Sequence, residues 1–350
     1  MTRSHENVRT SYGVRPMRTS TPPDGPPLTR RDLPALPARP VLDPALGIDE
    51  GALVRRGLAA GDWRAAKEAL ERATDPDARY WLLDLCAEQK GRPDWLDDWV
   101  AAEPDGALPL LVRGAHGVKW AWEARGPYQA RYTGDDAMVV FQHRLVTAED
   151  DLLRAASRDP NDPTPWACLL TSGRGLGVGV PELERRFTEV TVRHRWHVGA
   201  HGGMLMGTSR KWGGTHDLMF DFAREAASLA PAGSPIAGLL AAAHLEPYLF
   251  ESKARMAAYL SHPEVRGELR WAAERSVLHP DAVPTLGTIH AHNHFAYCFA
   301  AGGDVQAAAR HFAALGGRVA KQPWFMFTRF SSPARLYGRH RRAVRRRLPR

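Results

Sequence analysis

The sequence predicts an all-α fold, an irregular α-solenoid of antiparallel helix hairpins. Three observations carry that prediction. Apolar residues recur at helical spacing from Ile48 onward, and no stretch alternates as a half-buried strand would. Glycine and proline break the chain at short, helix-length intervals. Gly-Asp and Gly-Gly turns join segments that each carry small residues on one face, as closely packed helices require.

Residues 1–46 contain nine prolines and no hydrophobic period, which predicts a disordered Pro-rich tail. The helical pattern then runs as Gly51–Ala60, Trp63–Ala73, Ala78–Lys90 and Asp94–Ala102, with Asp94 as a cap and Trp95 stacked on Trp99. Leu108–Ala124 is a long helix stopped by Gly126-Pro127, and another runs from about Asp136 to Arg158. Gly173–Gly179 reads as a flexible link before Pro181, which suits the first turn of the helix Glu182–His194. A glycine-interrupted helix near Val198–Ser209 leads to Lys211–Pro231. There Gly213-Gly214 turn the chain, Thr215 caps, and Leu218, Met219, Phe222, Ala226 and Leu229 share a face. Two helices flank Pro247, Arg266–Leu278 adds another, and Thr285–Ala301 with Asp304–Leu315 form a final clear pair. One helical body over residues 47–338 is expected, followed by a basic tail at 339–350.

The net charge of +8 resides in the termini: +7 in Arg339–Arg350 and +3 in residues 1–46, leaving −2 for the body. No apolar run is long enough to span a membrane, and no apolar segment follows the N-terminal charges as a secretory leader requires. Cys86, Cys168 and Cys298 are few, odd in number and set in apolar helices, so they read as reduced core residues of a cytoplasmic protein.

Four segments resemble pieces of tetratricopeptide (TPR) repeats. The fullest is Phe295, Ala296, Phe299, Gly303-Asp304, Ala308, Phe312 and Leu315. Gly61-Asp62 with Ala66, Leu70 and Ala73, and Gly214, Met219, Ala223, Ala226 and Pro231, match second halves. Ala155 with Asp159-Pro160, then Trp166 with Leu169, match a repeat end and the next start. The matches do not tile at a fixed period, so the solenoid is a degenerate one. Trp120–Gly126 (WAWEARG) and Lys211–Arg224 (KWGGTHDLMFDFAR) are also similar to an uncharacterised family of bacterial TPR-like proteins with an Arg/Lys-Trp-Gly-Gly-Ser/Thr turn. That family brings no known reaction, ligand or catalytic residue; the TPR resemblance implies a non-catalytic scaffold that binds a protein or peptide, with no cofactor. Arg113, Lys119, Arg210, Lys211 and His294 are the candidate partner-binding residues.

Two alternatives stand beside it. The first is a helical metalloenzyme or accessory enzyme: His194, His197 and His201 would share a face on one continuous helix and could ligate a metal, although Gly199 threatens that continuity and no HExxH, paired ExxH or CxxC accompanies them. His290 and His294 would align, with His292 pointing elsewhere. The Arg339–Arg350 tail could contact nucleic acid or an anionic membrane. The aromatics before it, Trp324, Phe325, Phe327, Phe330 and Tyr337, read as a cover for the last helix. The glycines at 173, 175, 177 and 179 lack the strand and Lys-Ser/Thr of a phosphate loop, and no GxSxG elbow is present.

Overall fold

The computed structural model describes residues 26–36, 40–126, 133–328 and 331–350. These fold into sixteen α-helices joined by turns and short 3-10 segments, and among them the one extended pairing is an isolated bridge between Leu42 and Val319. The all-α prediction therefore holds. The expected single body over 47–338 instead divides between Gly214 and Thr215, giving one unit of residues 47–214 and a second of Thr215–Arg350 with the segment that ends at Leu46.

The first unit holds α1 (Asp49–Ala59), α2 (Arg64–Arg72), α3 (Pro76–Ala87), α4 (Trp95–Ala102), α5 (Ala107–Arg125), α6 (Asp135–Arg158), α7 (Thr164–Leu176), α8 (Val180–Thr191) and α9 (Val198–Gly207). Consecutive helices pack as hairpins, α1 on α2 and α5 on α6 among them, while α3 also meets α7 and α9. Asp75 starts α3 by accepting from the Ala78 amide, and Pro76 occupies the first helical position. Asp94 precedes α4 without making a side-chain cap bond. Trp99 stacks on Trp63 at 5.0 Å rather than on Trp95.

The expected link at Gly173–Gly179 is corrected at its start. α7 runs through Gly173 and Gly175 because those glycines serve close approach. A Cβ on Gly175 would sit 2.5 Å from Leu145 Cδ1 and 2.9 Å from Phe141 Cζ, and one on Gly173 would sit 2.8 Å from the Arg186 guanidinium. Arg186 is buried and ties three helices together, bonding Glu149 of α6, the Leu169 carbonyl of α7 and Glu182 of its own α8.

The second unit holds α10 (His216–Leu229), α11 (Leu239–Leu245), α12 (Lys253–Leu260), α13 (Pro263–Arg275), α14 (Leu286–Ala301), α15 (Val305–Leu315) and α16 (Pro333–Arg347). Thr215 caps α10 through the Leu218 amide, as expected. The buried face of α10 is Met219, Phe220, Ala223, Ala226 and Ala227, with Leu218 and Leu229 exposed. The stripe is turned because the two aromatics, Phe220 and Phe222, lie on different faces and Phe220 takes the core. The α14–α15 hairpin buries Phe295, Ala296, Phe299, Ala308, Phe312 and Leu315, and Asp304 caps the Ala307 amide.

Two terminal expectations are corrected. Residues 26–36 and 40–46 pack on this unit rather than standing free. Leu28 exchanges hydrogen bonds with the Gln306 side chain, Leu33 is fully buried, and its carbonyl accepts from Arg345. Prolines bar these residues from a helix, but side-chain partners satisfy their backbone polar groups. Residues 1–25 lie outside the described residues. The basic tail is likewise the second half of α16, whose Leu336, Tyr337, Arg341 and Val344 face the core. Trp324 and Tyr337 are buried against Phe312 and Tyr297, Phe325 is exposed, and Phe330 lies outside the described residues. Among the described residues no helix is long and apolar enough to cross a membrane.

Candidate functional site

A cavity of ≈ 240 Å³ opens within the first unit. Three helices line it, each with residues at helical spacing. Helix α3 supplies Tyr80, Leu83, Asp84 and Ala87; α5 supplies Ala115, Val118, Lys119 and Trp122; α7 supplies Cys168, Thr171 and Arg174. The volume is below the roughly 300–1,000 Å³ typical of sites for drug-sized ligands, so it suits a group the size of one amino-acid residue rather than a nucleotide cofactor.

One charged pair dominates the lining. Lys119 Nζ lies 2.5 Å from Asp84 Oδ1, and each side chain keeps 39% exposure. Burial alone would lower the ammonium pKa; the carboxylate more than offsets this and holds it above the usual lysine value. Burial pushes the Cys168 thiol and the Tyr80 phenol up. Lysine charged, thiol protonated and phenol neutral are the non-nucleophilic states of these groups. With Arg174, the lining carries a formal charge of +1.

Trp122 closes one wall. Behind it Trp212 packs edge-on at 5.5 Å, and the Arg174 guanidinium lies 5.6 Å from the Trp122 ring and 5.3 Å from the Trp212 ring. Arg125 lies over the same two rings at 5.3 and 5.7 Å. WAWEARG and the Trp of KWGG thus meet at one wall of the cavity.

The other partner-binding candidates do not converge there. Arg113 is engaged by Asp151 through two bonds of 2.7 and 2.8 Å and by Asp97 at 3.1 Å. Arg210 and Lys211 are exposed on the 3-10 turn before Gly213. His294 lies in the second unit, bonded to the His290 carbonyl, and burial pushes its pKa down to about 4.

The three metal-candidate histidines are not on one helix. α8 ends at Thr191, and His197 becomes the N-cap of α9, accepting from the Ala200 amide through Nδ1. His201 Nδ1 bonds the His197 carbonyl. Among the described residues, the group whose donor atoms fall together, within 4.8 Å of one another, is Asp75, Asp77 and His194. Two of its members already have structural work: Asp75 caps α3, and Asp77 Oδ1 accepts from the Val198 amide at 2.8 Å. His292 shares a 2.8 Å Nδ1–Nδ1 hydrogen bond with buried His311.

These imidazoles make stability acid-sensitive. Burial pushes His197 down to about 3 and His292 to about 4. Unfolding restores a value near 6.5, so the unfolded chain binds more protons as pH falls and stability is lost below that value. Asp77 works in the opposite sense. Burial raises its carboxyl to about 6, so its contribution grows as pH falls from 6 towards 4 and offsets one histidine. The expected result is a falling urea midpoint between pH 6.5 and 4, at most about 1.4 kcal/mol per pH unit for each unprotonated histidine. His197→Asn should flatten the slope; a midpoint flat from pH 7 to 4 would contradict the assignment.

Sequence reasoning found Lys119 but missed Tyr80 and Asp84, whose spacing with Asp77 along α3 was the available signal. Comparison of the chain with protein-family models, curated proteins and solved structures gives no match.

Proposed function

We propose that the chain is a non-catalytic, TPR-like binding protein whose first unit receives the C-terminal end of a peptide. The Asp84–Lys119 pair in the cavity carries this reading. A peptide carboxylate would meet Lys119 and Arg174, while its last side chain would lie against Leu83, Ala87, Ala115 and Val118. Asp84 keeps Lys119 charged and would orient the final amide N–H. The small volume favours a chain end over a continuous segment, and the resting states of Lys119, Cys168 and Tyr80 favour binding over covalent chemistry.

The test uses N-acetylated tripeptides ending in Leu, Val or Phe, each as free acid and as amide. Free acids should raise the melting temperature, by about 2.7 kcal/mol of stability at a hundredfold excess over Kd. Amides should not, and Lys119→Gln should remove the response. Equal binding of acids and amides, or no response from either at millimolar peptide, would overturn the reading.

A further inference from the structure

Helix α16 presents a second surface, unconnected with the cavity chemistry. Arg335, Arg339, Arg342 and Arg346 are all exposed, and their spacing of four, three and four residues places them on one helical face. The stripe is about 16 Å long at the usual rise per residue. Among the described residues no carboxylate lies within ion-pair distance of any of the four, and α16 itself contains no acidic residue.

Helix electrostatics account for only one member of this arrangement. Arginines in the last turn complement the negative end of the helix dipole, which explains Arg345, Arg346 and Arg347. Arg335 lies in the first turn, where the dipole disfavours a cation. Successive members of the stripe are like-charged neighbours that repel one another. The core-facing half, Leu336, Tyr337, Gly338 and Val344, already anchors the helix without them. The helix dipole accounts for Arg346 alone of the four, whereas a partner with regularly spaced negative charge would neutralise all four cations together.

We propose that this face of α16 binds the phosphate backbone of double-helical nucleic acid without reading its sequence. A duplex strand presents one phosphate per 3.4 Å of axis, so the stripe is long enough to follow several. A membrane-surface helix would expose an apolar face beside its cations. Here that face is buried. Single-strand binding would call for exposed aromatics on which bases stack, and the stripe's neighbours on α16 supply none. Arginines on phosphates give affinity and register rather than base recognition.

Anisotropy of a labelled 20-base-pair DNA duplex, titrated with the full chain across salt concentrations, tests this. With four phosphates engaged, log Kobs should fall against log salt with a slope of about −3.6, and Arg339→Gln/Arg342→Gln should bring it to about −1.8 while weakening binding about tenfold or more at low salt. Both substitutions are exposed, and a circular dichroism melt should show the variant folded. Arg255→Gln, an exposed arginine of the same unit paired with Glu251, should leave binding unchanged. No duplex binding at 50 mM salt would overturn the proposal. So would an unaltered slope in the double variant, a loss as large in Arg255→Gln, or tighter binding to single strands or phosphatidylserine vesicles than to the duplex.

Discussion

Gly214→Val should destabilise the first unit by at least about 3 kcal/mol, the upper range for overpacking a closely packed position. A Cβ at Gly214 would lie 1.9 Å from the Thr208 carbonyl oxygen and 2.4 Å from its carbon. Those are backbone atoms at the end of α9, so no rotamer change relieves the clash. The turn is also tied by hydrogen bonds from the Trp212 and Gly214 amides to the Ser209 carbonyl, so moving the backbone breaks them and shifts Trp212 off Trp122. Gly213→Ala provides the contrast. Gly213 has φ +94 with open space where a Cβ would go, so the substitution meets only the left-handed backbone penalty of about 1–2 kcal/mol. Urea unfolding of the two variants measures both. Equal midpoints would show that the turn yields and that Gly214 is not fixed by close approach.

Glu268→Ala should cost about 3–5 kcal/mol, the range for removing one partner of a buried ion pair. Glu268 is fully buried on α13 and receives Arg224 of α10 through bonds of 2.8 and 3.2 Å. It also receives His244 Nε2 of α11 at 3.1 Å, while His244 Nδ1 shares a 2.7 Å hydrogen bond with the Tyr259 hydroxyl of α12. One carboxylate thus holds four helices. Burial alone would raise its pKa, but His244 and then Arg224 more than offset this and hold it at about 2. The folded value lies below the unfolded one, so the contribution is fully present above about pH 4.3 and is lost as pH falls through 2, about 3 kcal/mol in all. Glu268→Gln should cost less than Glu268→Ala and remove that acid-dependent part. An alanine variant within 1 kcal/mol of the parent protein would show that Arg224 and His244 find other partners.

The helices of the α14–α15 hairpin were legible because large aromatics and small alanines sit on one face of each, and the turn is marked by Gly303-Asp304. The same punctuation misled at α7, where Gly173 and Gly175 make room for Arg186, Leu145 and Phe141 contributed by other helices. Local sequence cannot distinguish a glycine that bends a chain from one that receives a neighbour. The packed residues 26–36 and 40–46 were hidden for a related reason: their order comes from Gln306 and Arg345, far along the chain. The cavity was half legible. Lys119 was named with Arg113 as a cation of the same long helix, but its counterion comes from α3, and pairing across helices leaves no local pattern. The His244–Glu268 contact spans 24 positions of sequence and was invisible on the same ground.

The free cysteines acquire an experimental use from their placement. Cys86 lies wholly inside the first unit and Cys298 inside the second, both essentially sealed from solvent. Burial pushes the Cys86 thiol up to about 12 and Cys298 also upward, so neither presents a thiolate while folded. Modification by a thiol reagent must then wait for each to open, which gives each half of the chain its own clock. Whether the clocks run together or apart reports whether the boundary at Gly214 divides two cooperative folding units or one.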